Sequence, residues 1–182
     1  MELAGRGGLV GRLRIEHGTL LTGTRLDVTG AALTLDLLAH RASGSGTVRL
    51  AVGPDDPGEL GIVVEFSDLT ARRRDDPRPL LVGAGLIVEA RGEARLSPDD
   101  ALASGASYLS VGVPTVNVPD VAVFQHYLPD HVGLRLYGGE GLLHGRVVFA
   151  TERLEIELGL AAGDMALGIE DYRFQSDVDL AL

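Results

Sequence analysis

Chemistry needs side chains that donate, accept or coordinate, held close together, and few stretches of this sequence offer that. His126 and His131 lie on either side of Pro129-Asp130. Two imidazoles and a carboxylate are ligand types that zinc accepts. No third ligand of fitting spacing follows, and Pro129 breaks the helix that would align the rings, so the group reads as polar residues at a helix end. His17, His40 and His144 stand beside strand turns and read as solvated. Adjacent carboxylates occur at Asp55-Asp56, Asp75-Asp76 and Asp99-Asp100. General acid–base work needs carboxylates delivered to a cleft by different elements. Each of these pairs instead neighbours a proline, where aspartate forms turns and caps. No run alternates oxygen ligands as a calcium loop of about twelve residues does. Ser43-Gly44-Ser45-Gly46 and Ser104-Gly105-Ala106-Ser107 are not nucleophile elbows, and Gly138-Gly139-Glu140-Gly141 lacks the strand-to-helix setting of a phosphate cradle. Arg72-Arg73-Arg74 with Arg78 has the forked donors that match lipid phosphate. Asp75 and Asp76 offset that charge, which favours a solvated loop. The sequence thus leads to a protein that is not an enzyme, with no catalytic residue, metal or cofactor.

Composition narrows the remaining classes. The 182 residues suit one domain, and 45% of them are apolar, enough for a sizeable core. Aromatics make up only 4%, so whatever is buried is lined by Leu, Val, Ile and Ala, and a surface built on Trp and Tyr anchors is not expected. A net charge of −10 argues against nucleic acid as a partner. All 16 basic residues are arginine. Cysteine is absent, which removes disulfides and thiolate sites and leaves the compartment open. No apolar run approaches the ~20 residues of a membrane-spanning helix, and no signal peptide is visible. A chain that enters a strand pattern by Leu9 and stops inside another at Leu182 is expected to be part of a longer one.

The elements that must position any site are strands. Apolar and polar residues alternate with period two, the mark of a strand with one covered face. Leu13 and Ile15 alternate with arginine and glutamate, and the pattern repeats at Leu26 and Val28, Leu33 and Leu35, Val48 and Leu50, and Ile62 and Val64. After a break it resumes at Val147 and Phe149, Ile156 and Leu158, Leu167, and Val178 and Leu180. Gly- and Pro-rich turns separate the runs, and connections this short make neighbouring strands antiparallel. The fold expected is mostly β: an antiparallel meander of about a dozen strands in a curved, twisted, open β-groove with one or two short helices. Residues 1–96 form an N-terminal meander and 133–182 a C-terminal meander completing the same groove. Residues 97–132 form a helical or loop insertion. Within it, Ser97 or Asp99 caps a short turn at Ala101–Ala103, and Asp120 caps a helix of about two turns. Val121, Phe124 and Leu128 share one face of that helix, which packs over the end of the sheet. Leu9–Ile15 resembles Leu143–Phe149, and Val48–Val52 resembles Val178–Leu182, the spacing an internal repeat would give.

The segment Val118-Pro119-Asp120-Val121-Ala122-Val123-Phe124-Gln125-His126-Tyr127-Leu128-Pro129 resembles a stretch found in AsmA-like envelope proteins of Gram-negative bacteria, the family of TamB and YhdP. There it precedes a Gly-x-Gly-x-Leu-x-Gly strand, similar to Gly139–Gly145 here. The resemblance covers about 30 residues in detail and the rest in style. It implies a groove with an aliphatic interior, phospholipid or another acyl-chain lipid as partner, and a role in intermembrane lipid transport. It also implies a periplasmic, membrane-associated location, anchored to the inner membrane through a segment absent from this chain. The lipid-facing side chains would be Leu13, Ile15, Leu26, Val28, Leu33, Leu35, Val48, Leu50, Ile62, Val64, Val147, Phe149, Ile156, Leu158, Leu167, Val178 and Leu180, with Val121, Phe124 and Leu128 on a gating helix. The alternative is a structural β module acting through protein contacts, with further segments of a longer chain or with envelope proteins.

Overall fold

The computed structural model describes residues 2–53, 58–94, 106–129, 131, 133–169 and 172–181. They form strands β1 (Glu2–Arg12), β2 (Ile15–Glu16), β3 (Thr19–Leu20), β4 (Arg25–Leu37), β5 (His40–Val52), β6 (Glu59–Arg73), β7 (Pro79–Gly83), β8 (Leu86–Glu93), β9 (Ala106–Val118), β10 (Leu134–Ala150), β11 (Arg153–Ile169) and β12 (Tyr172–Ala181). One short helix, Val121–Tyr127, lies between β9 and β10. Ten strands make a single antiparallel sheet in the order β1-β4-β5-β6-β7-β9-β10-β11-β12, with β8 also between β6 and β9. Among the described residues β1 and β12 do not pair, so the sheet is an open meander and not a barrel. β2 and β3 form a separate hairpin.

One stretch read from sequence as helix or loop is a strand. β9 lies inside the 97–132 segment and pairs with β7, β8 and β10. Its alternation, Leu109, Val111 and Val113, is broken by Pro114, which cannot donate to a ladder, and the register shifts between Val113 and Val116. The turn at Ala101–Ala103 and its caps at Ser97 and Asp99 lie outside the described residues, as do Asp55, Asp56 and Asp130. The two members of the resemblance differ in structure: Leu143–Phe149 stays within β10, whereas β1, which starts at Glu2, ends at Arg12 partway through Leu9–Ile15.

A single sheet can bury a face only by bending over it. The bend here follows a line of register shifts that runs across neighbouring strands. They fall at Arg6/Gly7 in β1, Gly30/Leu33 in β4, Ser45/Gly46 in β5 and Leu143/Gly145 in β10. Between β6 and β9 the line is the gap separating β7 from β8, which continue one another. Extra residues of this kind kink a strand and increase its twist. Along the line the inner face carries glycine beside bulk: Gly7, Gly30, Gly46 and Phe66 stand in register, as do Gly5, Leu33, Gly44, Leu69 and Gly83. Phe66, Leu33 and Leu69 are fully or nearly fully buried there. Side chains from both sides of the crease, including Leu35, Val48, Ile62, Val64, Val88 and Val116, meet in one cluster.

Two glycines show why the crease needs them. A Cβ at Gly44 would land on the carbonyl oxygen of Asp68, and one at Gly46 on that of Glu65. Both obstacles are backbone, which a rotamer change cannot move. Gly8, one strand position from the line on the outer face, has open space around its Cβ direction. Gly46→Val is therefore expected to destabilise the protein by about 1–3 kcal/mol, the range of overpacking penalties. Gly8→Ala is expected to leave the urea midpoint nearly unchanged. Equal midpoints for the two variants in denaturant titrations would refute this account of the bend.

Candidate functional site

Strand register decides which side chains share a face, because successive residues point to opposite sides. Cross-strand partners connect Leu26 to Leu50 and on to Ile62, and Val28 to Val48 and on to Val64. Leu35 stands opposite Leu3 and Ala42, and Leu33 opposite Gly5 and Gly44. On the far side Val147 pairs with Val111 and Ile156, Phe149 with Leu109, and Leu158 with Gly145. Leu167 pairs with Leu136 and Phe174, Val178 with Ala162, and Leu180 with Leu160. Fifteen of the side chains expected to face lipid thus lie on one continuous inner face. Leu13 and Ile15 do not. β1 leaves the sheet at Arg12; Leu13 lies in no strand, and Ile15 pairs with Leu20 in the β2–β3 hairpin. Both are about half exposed, at 53% and 51%. The parity of Leu13 continues that of Leu9 and Gly11, which is why alternation alone placed it on the face.

The face is not uniform. From β4 to β9 the protein fills it with its own side chains: Leu33, Leu35, Val48, Ile62 and Val64 are buried in the main cluster. Two devices close this part. The β2–β3 hairpin inserts Leu20, itself 1% exposed, and ties down by a hydrogen bond from the Leu20 N–H to the Ala94 carbonyl. Thr24 locks the hairpin's base, its hydroxyl accepting from the Arg14 N–H and donating to the Arg14 carbonyl. Sequence reading passed over Leu20, whose only signal is an apolar pair between Gly18 and Gly23.

Across β10–β12 the same face is open. Leu154 is 57% exposed, Ile156 50%, Phe174 50% and Leu180 50%, and Phe149 and Ile169 are also exposed. These residues form a shallow aliphatic trough with no buried polar group among them. A depression of about 620 Å³ lies along the outer-face row Asn117, Leu142, Ala161 and Asp179 and is also lined by Ala162 and Val178 of the inner-face row.

The helix lies over the middle of β10–β11. It is a 3-10 helix, tighter than the α-helix expected, and Asp120 caps it as its position foretells, accepting from the Ala122 N–H at 2.9 Å. In a 3-10 helix residues three apart eclipse. Val121, fully buried, and the half-buried Phe124 therefore share a side, and Val123 is buried as well. Val121 packs with Val118, Ala162 and Met165, and Phe124, Leu136, Leu160, Leu167 and Val178 surround that group. Leu128, half-buried, stands just past the helix as its C-cap. Gln125 stitches the helix to β10: its amide donates to the Leu134 carbonyl at 3.2 Å, and its oxygen accepts from the Leu136 N–H at 2.7 Å. That stretch of β10 lies beyond the reach of β9, whose pairing begins at Gly141.

A polar latch fastens the helix end to the opposite part of the sheet. Tyr127 Oη and His40 Nε2 share a hydrogen bond of 2.6 Å, with the rings stacked, and His126 meets Tyr127 edge-on. Arg73, opposite His40 in register, forms a bidentate pair with Asp75 at 2.6 and 2.8 Å. That guanidinium holds the Asp75 carboxyl down at about 2. Burial, assisted by Arg73, pushes His40 below its ordinary value, and burial raises the Tyr127 phenol. Arg78 is likewise bound to Asp76. The arginines of the 72–78 segment that were weighed as phosphate donors are thus partly engaged by their own aspartates. Among the described residues no three His, Asp or Glu side chains gather in a way that could hold a metal ion.

No protein-family model, curated protein or solved structure matches the chain.

The latch gives the helix a pH dependence of definite sign. The depressed His40 value favours the neutral ring in the folded state, so its contribution is present above about 6.5 and is lost as pH falls through the lower folded value. Hydrogen exchange of the Val121–Tyr127 amides, corrected for intrinsic rates, is expected to quicken between about pH 7 and pH 5. His40→Gln should remove that dependence. Protection that is flat with pH in the parent protein would show that the latch does not hold the helix.

Proposed function

We propose that this chain is a lipid-binding β-groove that acts by holding acyl chains, as its resemblance to AsmA-like proteins implies, and not by turnover. The observation that supports the reading is the exposed aliphatic trough on β10–β12. It continues an inner face that the rest of the sheet buries, and it carries no charged group, its β12 part adding only the hydroxyls of Tyr172 and Ser176 among the described residues. Soluble domains rarely leave a contiguous apolar patch uncovered without an interaction to use it. Burial of a methylene is worth roughly 0.8 kcal/mol, so ten of them contribute about 8 kcal/mol before ordering costs. Shape and greasiness alone can then retain a chain. In this reading only the open part of the face touches lipid: Val147, Phe149, Ile156, Leu158, Leu167, Val178 and Leu180. The helix with Val121, Phe124 and Leu128 covers the middle of the trough and gates it. The buried set on β4–β6 acts as the scaffold that curves the sheet.

The wider reading places the protein in the cell envelope, moving phospholipid between membranes. Among the described residues no helix is long and apolar enough to cross a membrane. A second reading, a structural β module, draws on the two unpaired edges at β1 and β12, where further strands of a partner can add.

The test is direct. The chain, purified without detergent and examined by native mass spectrometry, is expected to carry phospholipid or free fatty acid. Ile156→Glu and Leu154→Glu, at exposed positions outside the main core, should abolish that cargo while leaving the thermal midpoint close to the parent's. Protein free of lipid after mild extraction, and failing to take up a fluorescent acyl-chain probe from vesicles, would leave the module reading in its place.

A further inference from the structure

The two free edges differ in kind. β1 is glycine-rich, with Gly5, Gly7, Gly8 and Gly11, and the extra residue of its register shift against β4 lies in β4. β12, Tyr-Arg-Phe-Gln-Ser-Asp-Val-Asp-Leu-Ala, contains neither glycine nor proline. The shift between β11 and β12, at Ala162/Met165, places the extra residue in β11, so the outer edge of β12 runs unbroken. Native sheets blunt an exposed edge with proline, bulges, charged side chains or a covering segment. Among the described residues β12 has no proline, no bulge of its own and no covering segment, and its charges, Arg173, Asp177 and Asp179, are of both signs.

The strand is also complementary to itself. Turned about Ser176 and laid antiparallel to its copy, it sets Arg173 opposite Asp179 twice on the outer face. It sets Gln175 opposite Asp177 there as well. On the inner face Tyr172 meets Leu180 and Phe174 meets Val178, with Ser176 opposite itself. Tyr172, Phe174 and Leu180 are 68%, 50% and 50% exposed in the single chain. Neither Arg173 nor Asp179 forms an ion pair with a described residue. The Arg173 guanidinium lies 4.3 Å above the Tyr137 ring, which keeps it on the outer face. Asp177 is turned toward the bulge, accepting from the Asp164 N–H at 3.1 Å.

We propose that two copies of this chain associate through β12, antiparallel and about a two-fold axis at Ser176. The two sheets become one of twenty strands, twice the ten of each copy, with a shared aliphatic face. A two-fold contact of this type is closed and stops at the dimer. It joins the two troughs edge to edge whether or not either holds a lipid.

Sedimentation velocity on the full chain at micromolar concentration is expected to show a dimer. R173D and D179R each set like charges opposite one another at two symmetric places. Each should weaken the dimer by about tenfold or more. The double variant R173D/D179R restores opposite charges in the same register and should recover the parent's association. Circular dichroism checks that the variants are folded, and D179R leaves the Tyr137 contact intact. A monomer at all concentrations, single variants that dimerise like the parent, or a double variant that does not recover would overturn the proposal. So would open-ended oligomers, which would instead mean that β12 of one copy joins β1 of the next.

Discussion

The structure depends on how side chains crowd on the inside of a bend. Strands stand about 4.8 Å apart, and on a concave face the side chains they carry converge. A ten-stranded layer could not close over its own apolar face if every inner position held a branched residue. Glycine at the crease resolves this. Gly44 and Gly46 let the backbones of β5 and β6 approach so closely that a methyl group would meet a carbonyl oxygen. The vacated space takes Phe66, Leu33 and Leu69, which are 0%, 3% and 0% exposed. Close packing and sharp curvature are thus one arrangement seen from two sides.

The same geometry explains why the inner face is part core and part trough. Curvature at the crease brings β4–β9 over each other, and Leu20 from the first hairpin fills the remaining gap. Farther along, β10–β12 lie beyond the reach of the facing side chains. Only the short helix comes back to cover them, held by the packing of Val121 and Phe124 and by two polar anchors: Gln125 on the backbone of β10 and Tyr127 on His40. Lifting the helix would break these hydrogen bonds, each contributing about 0.5–1.5 kcal/mol, and would also expose Val121, Val123 and Phe124, whose apolar burial is the larger part of its hold.

Much of this was legible because period-two alternation is a local property. The parities of Leu26, Val28, Val48, Leu50, Ile62 and Val64 were fixed by their neighbours, and the ladder could only put them on one face. The cap at Asp120 was equally local. What failed were features set by distant contacts. Pro114 disguised β9 because a proline argues against a central strand, and here the register shift accommodates it. Leu13 kept the right parity in a segment that leaves the sheet, drawn off by the Arg14–Thr24 bonds of the hairpin. No residue pattern separated the buried part of the face from the open part, because Ile62 and Ile156 sit in similar alternations. Their difference comes from which strands curve back over them.

The order of the strands carries a kinetic consequence. In the ten-stranded sheet most strands pair with their neighbours along the chain, and the exceptions β1–β4, β6–β8 and β7–β9 skip only one or two short strands, so most contacts can form hairpin by hairpin, each closing a short loop. β5 and β6, long, fully paired and rich in the best-buried residues, are the natural nucleus. The outer strands β11 and β12 contribute nothing to the main cluster and can join last. Such a sheet assembles like a zip and opens from its end first, so the elements most exposed to a partner are also those whose loss costs the nucleus least.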